Sequence, residues 1–129
     1  MELTVLGASG TWPTPGSATS GYLVQSDGFN LWVDAGTGTL SNLQKHIDLE
    51  DIHGVLISHQ HPDHFVDIYP CFYARHYGGL GPAGLPLYAP TGFFQVVADV
   101  LSLDSQVVMR VAFDVREVEP GEGFEIGPF

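Results

Sequence analysis

The sequence predicts an α/β or α+β fold built on a central sheet, and three observations carry that expectation. Several short β-type runs precede the first helical pattern. The all-apolar run Val55-Leu56-Ile57 is followed closely by a helix-like stretch, as a buried strand feeding a helix would be. Hydrophobic residues make up 44% of the 129 residues, enough for a packed core and too many for a disordered acidic tail.

The elements follow in order. Residues 3–6 are a short β run, and 7–21 form a loop rich in Gly, Ser, Thr and Pro. Residues 22–25 and 29–33 are two strands joined across Asp27-Gly28, a hairpin signal. A turn over 34–38 leads to a short helix over 40–47, with Leu40, Leu43 and Ile47 spaced by three and four. After the strand core 55–57, residues 64–77 are helical, and Pro70 must lie near the first turn or kink it. Residues 85–88 are another strand. Thr91 is the expected N-cap of a helix over 92–102, whose apolar residues Phe93, Val97, Val100 and Leu101 share one face. Val111, Phe113, Val115 and Val118 belong to a strand-like run. Residues 119–123 turn the chain, and 124–126 begin a second β arm. There is no repeat, linker or low-complexity segment, and the length is that of one domain.

Charge and cysteine content exclude several classes. Four Lys plus Arg against 15 Asp plus Glu give a net charge of −11. Such a chain repels phosphate backbones and lacks the basic footprint of a non-specific nucleic-acid binder, although a small anionic substrate can still be served locally. Cys71 is the single cysteine, which excludes an intramolecular disulfide. No stretch approaches 18 apolar residues, and no cationic leader opens the chain, so no membrane span is expected and the location is expected to be cytoplasmic.

The chemistry concentrates in Ser58-His59-Gln60-His61-Pro62-Asp63-His64. Three histidines and an aspartate fall within six positions, directly after the apolar strand. In an extended segment His59 and His61 leave on the same side, where two neutral imidazoles can share one metal ion. Pro62 keeps His61 extended. Asp63 and His64 then open the next helix and can reach a second metal. Imidazole and carboxylate suit Zn²⁺, and nitrogen and oxygen donors also accept iron or manganese. The carboxyl end of a buried strand is where α/β folds place their sites.

His59-Gln60-His61-Pro62-Asp63-His64 resembles the HxHxDH motif of the metallo-β-lactamase superfamily. Asp34-Ala35-Gly36 after an apolar strand resembles that family's earlier Asp-x-Gly. Val5-Leu6-Gly7-Ala8-Ser9-Gly10 with Pro13 resembles the first strand and Gly-rich loop of its ribonuclease Z-like branch. The resemblance implies an αββα sandwich, two facing sheets with helices outside, and a site for two Zn ions on one edge. It implies that His59 and His61 ligate the first metal and Asp63 and His64 the second. Asp34 would steady the metal loop from behind the ligands. Asp63 would also accept a proton in catalysis.

Two departures refine this. The family completes its sites with further His and Asp residues downstream, whereas His76 is the last histidine here. The resemblance therefore implies that residues 1–129 are the amino-terminal portion of one such domain. That half is expected to be inactive alone and to need a homodimer or a complementary chain to supply the rest. Phe65-Val66-Asp67-Ile68 also stands where ribonuclease Z carries Gly-Leu-Pro, which with the charge argues against tRNA as substrate.

The functional expectation is a metal-dependent hydrolase that attacks through metal-bound hydroxide. The favoured substrate is a phosphodiester such as a cyclic nucleotide. A thioester, lactone or β-lactam hydrolase on the same fold is the alternative, and an inactive half-domain awaiting a partner chain is the third reading. Other residues have simpler expectations. His46 meets a helix dipole, His53 lies in a connection and His76 stands beside Arg75 at a helix end. Cys71 is a small buried residue. Trp12 and Trp32 are core or rim aromatics. The run 48–51 is a solvated acidic face, and the 9–21 loop is either a phosphate cradle or a surface loop at the edge of the site.

Overall fold

The computed structural model describes all residues, Met1–Phe129. Its framework is a six-stranded mixed sheet in sequential order: β1 (Glu2–Gly7), β2 (Gly21–Ser26), β3 (Phe29–Val33), β4 (Gly54–Leu56), β5 (Leu85–Pro90) and β6 (Phe113–Val118). The first three strands form an antiparallel meander, and β3 to β6 run parallel. The β2–β3 turn is the expected one. Asp27 and Gly28 take φ of 51° and 77°, the left-handed pair that a tight hairpin needs.

Four helices connect and cover the sheet: α1 (Thr39–Leu43), α2 (Ile68–His76), α3 (Phe93–Ala98) and α4 (Leu103–Ala112). Pro70 is the third residue of α2, in the first turn, where its missing N–H leaves no bond unmade. One face of the sheet carries the main core. Leu23, Trp32, Val55 and Leu87 lie in register across β2 to β5, fully buried against Phe72, Phe93 and Val97 from the helices. Trp32 fills the centre of this layer, and Trp12 is an exposed loop residue.

Three expectations are corrected. Thr91 does not cap a helix: Gly92 stands at the N-cap of α3, and the Thr91 hydroxyl bonds Glu119 Oε1 at 2.6 Å. The helix expected over 92–102 ends at Ala98, and α4, which was not anticipated, starts after Ser102 and takes in Val111, expected in the strand run that in fact begins at Phe113. Ser102 caps it by accepting from the Ser105 N–H at 3.3 Å. The arm expected at 124–126 is not a strand. That segment instead lies against the second sheet face, with Phe124 stacked on Tyr88 at 5.6 Å and Ile126 packed with Leu31 and Tyr88.

That second face is apolar in a continuous row. Register aligns Val5, Tyr22, Val33, Leu56 and Tyr88 across five strands, ending at Arg116 on β6. Leu31 and Tyr88 are buried there, whereas Val5 is 58% exposed and Leu3, on the same side, 61%. The terminal segment thus covers the β3–β5 side and leaves the β1–β2 side open.

Candidate metal centre

The site forms where two loops leave the carboxyl ends of neighbouring parallel strands. β3 delivers Asp34, and β4 delivers residues 57–64. Asp34 is buried and holds φ of 55°, a left-handed conformation that Asp tolerates better than most residues. Its amide donates to Leu56 O at 2.8 Å, which fixes the start of one loop to the end of the adjacent strand. Its carboxylate accepts three bonds. Oδ1 takes the Ser58 backbone N–H at 2.8 Å. Oδ2 takes the Ser58 hydroxyl and His64 Nδ1, each at 2.8 Å.

The motif segment then follows the conformation that its proline demands. His61 is extended, with φ −81° and ψ 137°, and Pro62–His64 form one 3₁₀ turn. This turn brings the rings together. The His59 and His61 centroids are 4.8 Å apart, and those of His59 and His64 are 3.9 Å apart. His64 Nε2 faces Asp63 Oδ2 at 3.4 Å.

A third strip of backbone closes the arrangement. Thr19, fully buried, donates its hydroxyl to Asp63 O at 2.9 Å. Ala35 N donates to His64 O at 2.6 Å, Gly36 N to Ser20 O at 3.1 Å and Asp67 N to Ala35 O at 2.8 Å. Segments 18–20, 34–39 and 58–67 are therefore laced together by main-chain groups. Asp67 adds a cross-tie by accepting from Leu40 N at 2.8 Å, at the start of α1. Burial pushes the Asp67 carboxyl up from its usual range, opposed by hydrogen bonds from the backbone around Gly38–Leu40.

The chemistry of the donor set suits a transition metal. Bonds of about 2.0–2.2 Å at tetrahedral angles separate two donors by about 3.3–3.6 Å. His64 Nε2 and Asp63 Oδ2 stand at 3.4 Å, so this pair matches one edge of such a site. No group of three or more His, Cys, Asp or Glu side chains is gathered as a metal cage. The chain thus presents paired donors and not a closed coordination shell.

All five residues expected at the site, Asp34, His59, His61, Asp63 and His64, lie in this cluster. The other histidines are engaged elsewhere. His53 Nδ1 accepts from Asn30 N at 3.0 Å, and the His76 ring stacks on Phe72. His46 is exposed just beyond α1. Sequence reasoning missed Ser58 and Thr19, small hydroxyl residues whose partners are distant in sequence and near only in the fold.

Cys71 takes no part. It is fully buried, and burial pushes its thiol up to about 12, with the opposing effect of Arg75 smaller. Cys71 is expected to resist iodoacetamide under native conditions and to alkylate only when the protein is unfolded. Rapid native alkylation, read by mass spectrometry, would show that α2 opens readily.

The sheet, the Asp34 loop and the HxHxDH turn together define a metallo-β-lactamase fold. The superfamily model matches residues 14–127, and the chain belongs to the metallo-β-lactamase superfamily. Within it the relatives point to the ribonuclease Z-like branch. The chain is 42% identical over 91 residues to the probable metallo-hydrolase YhfI of Bacillus subtilis, covering 68% of this chain and 37% of that protein. It is 30% identical over 128 residues to ribonuclease Z of Methanopyrus kandleri, covering 98% of this chain and 43% of that protein. The crystal structure of B. subtilis YhfI superposes with a TM-score of 0.80 at 30% identity, over 98% of this chain and 48% of that one. Zn²⁺-bound PqqB from Methylobacterium extorquens shares the fold, with a TM-score of 0.70 at 21% identity, over 99% of this chain and 49% of that one. The chain thus spans less than half the length of these relatives.

Proposed function

We propose that this chain is the amino-terminal portion of a metal-dependent hydrolase, acting on a small anionic phosphodiester such as a cyclic nucleotide. The observation that carries this reading is the packing of His59, His61, Asp63 and His64 into one turn that the Asp34 carboxylate braces from beneath. The ribonuclease Z relative supports a phosphodiester over a thioester, lactone or β-lactam. The net charge of −11 favours a small substrate over a polynucleotide.

In this reading His59 and His61 hold one metal and Asp63 and His64 a second. Zinc is the favoured ion, supported by the Zn²⁺-bound PqqB relative, and iron or manganese also suits these donors. The bound metal supplies Lewis acidity toward the scissile group and lowers the pKa of water at the site. In this reading Asp63 accepts a proton through its carboxylate in addition to ligating, and Asp34 orients His64 by accepting from its Nδ1, which leaves His64 Nε2 facing Asp63. The test uses the intact protein with bis-p-nitrophenyl phosphate, a cyclic nucleotide, a thioester and a lactone. Phosphodiester turnover should vanish on chelation and return with Zn²⁺ or Mn²⁺. Chelator-resistant turnover, or turnover of the thioester or lactone alone, would overturn the reading.

The second sheet face supports the half-domain aspect. The open β1–β2 side, with Leu3 and Val5 exposed, is the surface that the other sheet of an αββα sandwich would cover. At about 25 cal/mol per Å², covering a few hundred Å² favours association by several kcal/mol before entropic costs. The isolated 129-residue chain is therefore expected to form a homodimer, or to bind a chain supplying the remaining sheet. Light scattering that finds a stable monomer of 13.9 kDa at micromolar concentration would refute this.

A further inference from the structure

We infer that Ser58 is a positioning residue that sets the tautomer of His59. The inference rests on the metal-centre reading only for its consequence, because the relay itself lies in this chain's own hydrogen bonds. A serine hydroxyl has one hydrogen to give. The Ser58 Oγ contacts two groups, Asp34 Oδ2 at 2.8 Å and His59 Nδ1 at 3.0 Å. The Asp34 carboxylate only accepts, so the hydroxyl hydrogen goes to it. Ser58 Oγ then has only lone pairs left for His59, and Nδ1 must carry the ring proton. The neutral ring therefore presents a bare lone pair at Nε2, the form a metal requires.

His64 follows the same logic directly, because its Nδ1 donates to the same Asp34 oxygen and frees its Nε2. One carboxylate thus sets two imidazoles, one by contact and one through Ser58. Without the hydroxyl, Nδ1 of His59 loses its acceptor and nothing in this network keeps the proton off Nε2. The loop survives that loss, since the Ser58 backbone N–H remains on Asp34 Oδ1 at 2.8 Å. Ser58→Ala is accordingly expected to fold.

The experiment records long-range ¹H–¹⁵N imidazole spectra of the intact, metal-free protein at alkaline pH, where imidazoles are neutral. Wild type should show His59 protonated at Nδ1. Ser58→Ala should move protonation of His59 toward Nε2, while Ser58→Thr, which keeps the hydroxyl, should restore Nδ1. Zinc titration by calorimetry should show about a 10-fold loss of affinity in Ser58→Ala and recovery in Ser58→Thr. His59 protonated at Nε2 in wild type, or an unchanged tautomer in Ser58→Ala, overturns the inference. An unchanged zinc affinity in Ser58→Ala does so as well. Failure of the metal reading looks different: the tautomers behave as described, and wild type binds neither Zn²⁺ nor Mn²⁺.

Discussion

Asp34→Ala is expected to lower the metal affinity of the intact protein by about 10–100-fold, the usual loss when a group that orients ligating histidines is removed. The substitution takes one acceptor from three donors: the Ser58 N–H, the Ser58 hydroxyl and His64 Nδ1. It also leaves alanine at φ 55°, a left-handed conformation that costs about 1–2 kcal/mol. Stability and ligand orientation therefore fall together, and Asp34→Asn separates them. Asparagine tolerates the left-handed backbone, and its carbonyl can still accept from Ser58 N. Its amide group, however, presents hydrogens where Oδ2 accepted from His64. His64 must then turn or carry its proton on Nε2, the nitrogen that should face the metal. Asp34→Asn should keep a near-native melting temperature and still lose most of the metal affinity, as read by calorimetry with zinc. Wild-type affinity in Asp34→Asn would sink the assigned role.

Much of this was legible in the sequence because the information is local. The β2–β3 hairpin was legible from the Asp27-Gly28 turn signal between two β runs, and β3 has the expected limits of 29–33. The metal-site cluster was legible because Pro62 dictates the local backbone and the donors lie within six positions. Helix α4 was not legible, and its apolar residues explain why. Leu103, Val107 and Val111 are 79%, 66% and 54% exposed, whereas the buried positions are Met109 and Ala112. Leu103, Val107 and Val111 do recur at helical spacing, but β-branched valines lower helix propensity, and Val111 reads equally well as the start of the strand run that continues through Phe113 and Val115. Thr91 misled for a related reason. A residue suited to an N-cap is equally suited to any nearby acceptor, and Glu119 lay within reach only after β6 had paired with β5. The segment after Gly123 had an alternation that fits a strand, but its aromatic residues pack on Tyr88 and Phe29 of the second sheet face. Ser58 and Thr19 share a different difficulty. Their roles come from bonds across 24 and 44 residues, which no local pattern encodes.

Gly36→Ala is expected to be the most disruptive single-methyl change in the chain's functional loops. A Cβ at residue 36 would overlap the Asp63 carbonyl oxygen and the Thr19 hydroxyl, and would lie 2.7 Å from Ser20 O. Two of these three obstacles are backbone, so no rotamer change relieves them. Nor can Gly36 itself retreat. Its amide is bonded to Ser20 O at 3.1 Å, and its carbonyl accepts from Thr39 N at 3.0 Å and from the Thr39 hydroxyl at 2.7 Å. The added methyl must therefore part segments 18–20 and 58–67, which breaks the Thr19–Asp63 bond and displaces Asp63. Overpacking a tight site typically costs about 1–3 kcal/mol, and an obstacle made of backbone belongs at or above the upper end. In a domain of this size that corresponds to a fall in melting temperature of roughly 10 °C or more. Metal affinity should drop with it, because the displaced residue is a proposed ligand. Gly28→Ala supplies the control. Unlike Gly36, Gly28 has positive φ, at 77°, but a Cβ there meets nothing within 4 Å. It should cost only the backbone strain, about 1–2 kcal/mol, and leave zinc binding untouched. If thermal melts and zinc titrations show the two alanine variants to be equivalent, the three segments are not interlocked through Gly36, and the rigidity assigned to the metal loop must come from Asp34 alone.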